Sequence, residues 1–553
     1  MEVDNSQYKR QLLSILKHIA NATFVTFDLE MSGISTRRQY GTGDRSQKVD
    51  KPTLQEIYEE MKDAASTYQV VQFGITCIEE DREKEFYLAR PYNFYLSPLQ
   101  AAGVDIRLER DFTFSSSACE FLLKNDFNFG TLFKSGVPYL SRTEEDVHRE
   151  EYQARTSRTS TIPDLIIPAS DTTNLTFYRK ARSTISEWIN SSKPEFDFVN
   201  VGSVLDPTSG YQRRLIYQLI RSEFPGLRAF PRGGKEFMQV VKVDVKREAE
   251  FQKRKDESFE AGLAKQIGLR WIFEALSGGN LDGINPRWFY VEGKDGDETK
   301  PENQLDAIVK DVEKVKLALL KKQHIIVGHN LFTDLGFLYN TFVGILPEKV
   351  SHFQEEIHEL FPRVFDTKYI ATHGREGMGS SSALAQLLEP FKSIHEPLVV
   401  LHEKHTSYGS GKDHEAGFDS WMTAELFVKL TSTLFEERRL GLLDANIENS
   451  DLDSSCDDDV GGVTLNVPDT DGGFFSDSES GEGNVPAAWH AVQLNRFSVL
   501  ADGGGEDKIA ETTTTVKPSP FMPPIKSSFW DVYVNKLRVN AAEGGICHLA
   551  TDE

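Results

Sequence analysis

Apolar and polar residues alternate along residues 24–34, and that alternation assigns a strand whose two faces differ in chemistry. With period 2, Val25, Phe27, Leu29 and Met31 fall on one face and Asp28 and Glu30 on the other. Upstream, Tyr8, Leu12, Ile15, Leu16 and Ile19 recur at helical spacing and predict an amphipathic helix leading into this strand. Downstream, residues 36–50 read as a polar loop carrying Arg37 and Arg38, and a helix follows at 52–65. Residues 68–78 and 85–90 then read as a hairpin around a charged turn.

From about residue 171 to 245 the pattern changes. Helices at 178–189 and 210–224 and a strand at 237–243 predict a small α/β unit, after which a charged helix from 246 towards 276 returns the chain to the main body. There, 324–330 reads as a short buried strand ending at Gly328, followed by a helix carrying Asp334. A strand containing Asp366 is expected at 364–371, then a helix with Leu384 and Leu387, then a loop through Tyr408 and Gly411. His414–Glu415–Ala416–Gly417–Phe418–Asp419 opens a long helix in which Met422, Leu426 and Leu430 keep the period. Strands alternating with helices predict an α/β layered core. That core is expected in two parts, 1–170 and 246–443, with an inserted domain at 171–245 and an acidic low-complexity linker and tail at 444–553.

Composition narrows the class. At 553 residues, 39% hydrophobic and 27% charged, the chain has room for several domains and is neither fibrous nor membrane-embedded. Its four cysteines show no zinc spacing, and no apolar leader is evident, which points to a reducing cytoplasmic or nuclear compartment. The net charge of −23 argues at first against a polyanionic partner. Between Asp444 and Glu482, however, twelve acidic residues occur with no Lys or Arg, so about half of that charge belongs to a Ser- and Gly-rich stretch that reads as a solvated linker. Beyond it, 489–500 and 529–539 are two islands capable of order, the second a tail expected to dock on the body or on a partner.

The candidate chemistry begins with Asp28 and Glu30. Two residues apart on a strand, they stand roughly 7 Å apart at Cα. Their side chains can bracket divalent ions separated by about 3.5–4 Å, as two-metal phosphodiester hydrolysis requires. Alone, an Asp-x-Glu is better explained by the wet end of a strand. Asp334, at a helix start after Gly-His-Asn, and Asp419, with His414 five residues before it, supply what that motif lacks. In this order the residues resemble the DEDD exonucleases, in the subclass marked by His-x-x-x-x-Asp. Carboxylate oxygens suit Mg²⁺ or Mn²⁺ rather than zinc. On this reading Asp28, Glu30 and Asp419 hold one ion, Asp28 bridges to a second supported by Asp334, and His414 is the general base for the attacking water. Asp366 offers a fifth carboxylate, which a buried hydrogen-bond acceptor at a strand end explains equally well, and it is left outside the metal shell.

The likeness extends well beyond the acidic residues. FDLEMSGI, ARPYN, FLLKNDFNFGTLFKSGVPYL, GYQRRLIYQL, IIVGHNLFTD, FPRVFDTKYIA and HEAGFD resemble successive segments of the poly(A)-specific ribonuclease family, which includes exonucleases that trim small-RNA precursors. The resemblance runs roughly from Ser6 to Leu440. It implies a ribonuclease-H-like core of a mixed sheet flanked by helices, with an inserted small α/β domain and a largely disordered acidic C-terminal region. It also implies metal-dependent 3′→5′ removal of 5′-monophosphates from single-stranded RNA, a preference for adenosine tails, and a homodimer. Met31 stands where the family suggests an aromatic residue; with Ser32 and Ile34 it is expected to line the path of the terminal nucleotide. The inserted domain departs from the family's Arg-x-x-x-His signature, since Arg213 is followed four residues later by Tyr217. No RNA-recognition-motif sequence is evident after Leu443. A DNA-directed exonuclease would share this metal site, differing only in contacts to the 2′-OH. A non-catalytic RNA-binding scaffold would be expected to have lost a ligand, and none is missing.

Overall fold

A computed structural model describes residues 1–35, 52–157, 163–192, 195–203, 205–290, 301–374, 383–410, 414–440, 521–539 and 545–550. The loop expected at 36–50, the acidic stretch 444–482 and the island at 489–500 lie outside the described residues. Two compact units result: Met1–Glu145 together with Ala264–Glu553, and Asp146–Leu263. The segment expected as an insertion, 171–245, falls within the second.

In the larger unit the strands are β1 (Phe24–Met31), β2 (Val70–Asp81), β3 (Phe86–Ser97) and β4 (Val137–Pro138). After β5 (Phe198–Val201), β6 (Leu227–Arg232) and β7 (Phe237–Lys242) of the smaller unit come β8 (Ile325–Gly328), β9 (Arg363–Asp366), β10 (Val399–Leu401), β11 (Lys536–Arg538) and β12 (Ile546–His548). The main sheet runs β10-β3-β2-β1-β8-β9, with β4 beside β3. β1, β2 and β3 form an antiparallel meander, while β8 and β9 follow β1 in parallel, the mixed ribonuclease-H-like sheet that the resemblance implied.

Helices cover both faces of the sheet. Across one lies the long helix Ala416–Arg439, with Phe427 against Phe24 and Phe365 at ring-centroid distances of 5.0 and 5.6 Å. On the other, Phe73 meets Phe27 and Phe342, and Phe342 meets Phe273, so that helices Phe332–Phe342 and Arg270–Ser277 close the layer. The hairpin arms are longer than the alternation suggested, because β3 continues through Pro91 to Ser97. Pro91 falls between the β3 residues paired to β10 and those paired to β4, an interval where a missing ladder donor costs little.

Two expected elements are corrected. The helix expected from 246 to 276 is broken into Val245–Ile267 and Arg270–Ser277. Gly268 takes φ +49°, and a Cβ there would stand 1.9 Å from the Pro138 carbonyl oxygen, so the chain turns where it meets β4. The strand expected at 364–371 stops at Asp366, whose side chain accepts the Lys368 N–H and caps a short helix, Thr367–Thr372.

The smaller unit is a three-stranded antiparallel sheet, β5-β7-β6, with its own core of Ala181, Ile185, Ile216, Leu219, Met238 and Val240. Helices Thr172–Asn190 and Gly210–Glu223 supply the helical side of that core. Arg213 is engaged within the unit, donating to the carbonyls of Thr208 (2.6 Å) and Lys235 (2.8 Å), whereas Tyr217 is exposed.

Candidate active site

The alternation read in β1 places four residues, Phe24, Thr26, Asp28 and Glu30, on the face covered by helix Ala416–Arg439. Contacts descend that helix in step with the strand. Phe427 packs on Phe24, and the Ser420 carbonyl accepts the Thr26 hydroxyl at 2.6 Å. Carboxylate oxygens of Asp28, Glu30 and Asp419 lie within 4.8 Å of one another, with Asp419 in the first turn of the helix. The cluster therefore forms where a strand end meets a helix start.

Two features let the helix come so close. Gly74 is paired with Asp28 in the β1–β2 register, and a Cβ on it would stand 1.9 Å from the Ala416 carbonyl oxygen. The helix also lacks a side-chain cap of its own. Its first N–H groups turn instead to buried amides of the sheet: Ala416 N–H to Gln72 at 3.4 Å and Gly417 N–H to Asn93 at 3.2 Å. Sequence reasoning missed Gly74, Gln72 and Asn93. The available signal was a glycine inside an otherwise apolar strand, which often marks the close approach of another backbone.

Asp334 arrives from the other side of β1. Parallel pairing with β8 ends at Thr26↔Val327, so the next stretch of that strand edge is open to another partner. Asp334, in the first turn of helix Phe332–Phe342, stands near β1, where the Leu29 backbone N–H favours its charged form. Its charge acts on both Asp28 and Glu30. A bulge follows at once, between Glu30 and Met31.

These carboxylates repel one another. Burial holds Glu30 well above the usual carboxylate range, and Asp28, Asp419 and Asp334 push it further in the same direction. Burial and Asp334 raise Asp28 likewise. Asp334 is lifted by burial to about 8, against the pull of its two backbone donors. Half-buried oxygen donors under like-charge strain form a site that a hard divalent cation would relieve, so the residues fit the Mg²⁺ or Mn²⁺ the sequence suggested.

His414 has φ +67°, and its backbone N–H reaches Asp419 Oδ1 at 3.4 Å. Its ring stands edge-on to Phe121 at 4.8 Å. The helix Ser116–Lys124 thus holds this histidine beside the helix start that carries Asp419. Of the three residues expected along the nucleotide path, Met31 and Ile34 are partly exposed just beyond the bulge. Ser32 is fully buried, with its hydroxyl donating to the Thr113 carbonyl (2.6 Å) and accepting the Gln69 N–H (3.0 Å), so it braces the end of β1.

Known proteins resemble the chain over most of its length. The poly(A)-specific ribonuclease of Xenopus laevis is 26% identical over 447 residues, covering 78% of this chain and 63% of the relative. A pre-piRNA 3′-exonuclease trimmer from Bombyx mori is 25% identical over 440 residues, covering 78% of this chain and 71% of that protein. The chain therefore spans less than two thirds of the frog relative. Among solved structures, a Schizosaccharomyces pombe Pop2p in an Mg²⁺- and Mn²⁺-bound form aligns at 12% identity with a TM-score of 0.34, over 81% of this chain and 96% of that one. The pattern of the CAF1 family ribonucleases matches residues 3–427, and the chain belongs to that family.

Proposed function

We propose that the chain is a metal-dependent 3′→5′ exoribonuclease that degrades single-stranded RNA, either poly(A) tails or 3′ extensions of small RNAs, releasing 5′-monophosphates. The observation that carries this reading is the meeting of Asp28, Glu30 and Asp419 at one point of the sheet, with Asp334 near enough to act on the charge of Asp28 and Glu30. The kinship with the frog and silkworm enzymes supplies RNA as the substrate class.

Asp28, Glu30 and Asp419 would hold one Mg²⁺ or Mn²⁺ and Asp28 with Asp334 a second; bound there, the pair supplies positive charge to the attacking and leaving oxygens of an in-line displacement at phosphorus. His414 takes the proton of the attacking water, a transfer typically worth about 10²–10⁴ in rate. Phe121 restrains its ring. Met31 and Ile34, past the bulge, flank the terminal nucleotide.

A homodimer, and a location in cytoplasm or nucleus, are read from the family and from cysteine usage respectively. No helix among the described residues is long and apolar enough to cross a membrane. Light scattering on the full chain reads the first, and fractionation the second.

The activity is tested with oligoadenylate and mixed-sequence RNA, labelled at either end, in Mg²⁺. Release of nucleoside monophosphate from the 3′ end alone is the expected result. Equal turnover of single-stranded DNA would move the assignment to a DNA-directed exonuclease, and inertness of every substrate would leave an RNA-binding scaffold.

A further inference from the structure

The C-terminal segment is built into the large unit at a place that bears on Asp334. Trp530 packs against Phe365 and Phe427 at 5.0 and 5.5 Å. Asn535 exchanges two hydrogen bonds with Val364, its N–H to the Val364 carbonyl (2.8 Å) and its Oδ1 from the Val364 N–H (2.9 Å), so the segment binds along β9. Three residues further, at the end of β11, the Arg538 N–H donates to Asp366 Oδ2 at 3.0 Å.

Asp366 is completely buried. Its Oδ1 accepts the N–H groups of Lys368 (2.9 Å) and of Asn330 (2.8 Å). Asn330 holds φ +60°, a left-handed conformation that costs a non-glycine residue unless its surroundings impose it. It is the residue that turns the chain from β8 into helix Phe332–Phe342. That helix has no side-chain cap to set its start, and Asp334 lies in its first turn. A continuous path therefore runs from the tail backbone through one carboxylate and one strained turn to the fourth acidic residue of the site.

We infer that Asp366 is a positioning residue for Asp334, and that the tail segment around Arg538 is a working part of the catalytic unit because it holds Asp366 in place. This inference rests on the reading of Asp334 as a metal-site residue. Removing either end of the link lets the Asn330 turn relax and Asp334 move away from Asp28, while Asp28, Glu30 and Asp419 keep their places.

Two variants of the full chain address the link from opposite ends. Asp366→Asn replaces an acceptor-only side chain by one carrying donors. Arg538→Pro deletes the donor, and because that N–H faces Asp366 at 3.0 Å it takes no ladder bond from β12. Mn²⁺ binding followed by calorimetry is expected to weaken by about 10–100-fold in each, the usual loss when a group supporting a ligand is removed. The Mg²⁺ concentration for half-maximal RNA cleavage should rise in parallel, with kcat partly restored at saturating metal, a split that a merely weakened core does not produce. Variants that keep the wild-type unfolding transition and the wild-type Mn²⁺ affinity overturn the inference while leaving the nuclease reading intact; a wild-type chain that neither binds Mn²⁺ nor cleaves RNA overturns both. Should both variants fail to fold, amide exchange in the wild-type chain decides. Matched protection of Asn330 and Arg538 supports the link, and fast exchange at Asn330 beside slow exchange at Arg538 overturns it.

Discussion

Replacing Gly74 by alanine adds a single methyl group, and it does so at the tightest backbone approach behind the carboxylate cluster. The new Cβ would lie 1.9 Å from the Ala416 carbonyl oxygen and 2.4 Å from the Gly417 nitrogen. Neither atom belongs to a flexible side chain, so relief requires the helix start to retreat from β2 by more than about 1 Å to regain ordinary contact at about 3.5 Å. That retreat stretches the hydrogen bonds to Gln72 and Asn93 and carries Asp419 away from Asp28 and Glu30. Overpacking of this kind typically costs about 1–3 kcal/mol of stability. A displacement of about 1 Å in catalytic geometry can cost about 10²-fold in rate. The expected result is therefore a folded protein with a modestly lowered Tm and a kcat for Mg²⁺-dependent RNA hydrolysis reduced by about two orders of magnitude. The control is Leu434→Ala, a buried position late in the same helix and far along it from Asp419. Its cavity costs about 2–5 kcal/mol, as much stability or more, yet below its Tm it should turn over RNA normally. A Gly74→Ala enzyme with wild-type kcat would refute the reasoning, because it would show that the helix start does not set the site.

Asp28→Asn and Asp419→Asn should each abolish RNA cleavage while retaining the native circular dichroism spectrum, and in EDTA should raise the Tm by removing one of several buried like charges; in Mg²⁺ the order of Tm values should reverse, the wild type becoming the more stable. Trp530→Ala should destabilise the larger unit by about 3–5 kcal/mol in denaturant unfolding, as for any large core aromatic, and a loss below about 1 kcal/mol would show that the tail is only loosely attached. Acid should destabilise the fold through buried histidines: burial depresses His405 to about 3 and His324 to about 4, so the folded state resists a proton that the unfolded chain accepts below about 6.5. Stability from these rings is full above pH 6.5 and drains as pH falls towards 4, by about 3 kcal/mol for His324; His324→Gln should flatten the Tm-versus-pH curve in that window, and an unchanged curve would contradict the assignment.

What the sequence disclosed and what it withheld divide along a physical line. Side-chain alternation in β1 and helical spacing after Asp419 are local periodicities, and both elements were legible with their acidic residues on the faces now observed. The cluster could be anticipated because its residue types are constrained by the chemistry of hard cations. The supports were not legible, since each is a contact between elements far apart in sequence. Gly74 matters only because residue 416 lies over it, and Gln72 and Asn93 are polar residues in strands whose partners are N–H groups more than three hundred residues away. Of the two misread segments, only the second shares that reason. Residues 364–371 carry apolar side chains that suit a strand, but Asp366 finds the N–H of Lys368 and starts a helix. The charged run after 246 suits one long helix until Gly268 meets Pro138. The first is decided by a cap two residues away and the second by a long-range approach, and each overrides a local preference worth a few tenths of a kcal/mol per residue. By the same logic the clustered carboxylates could be named from sequence, whereas the glycine, amide and aspartate residues packed behind them had to be read from the structure.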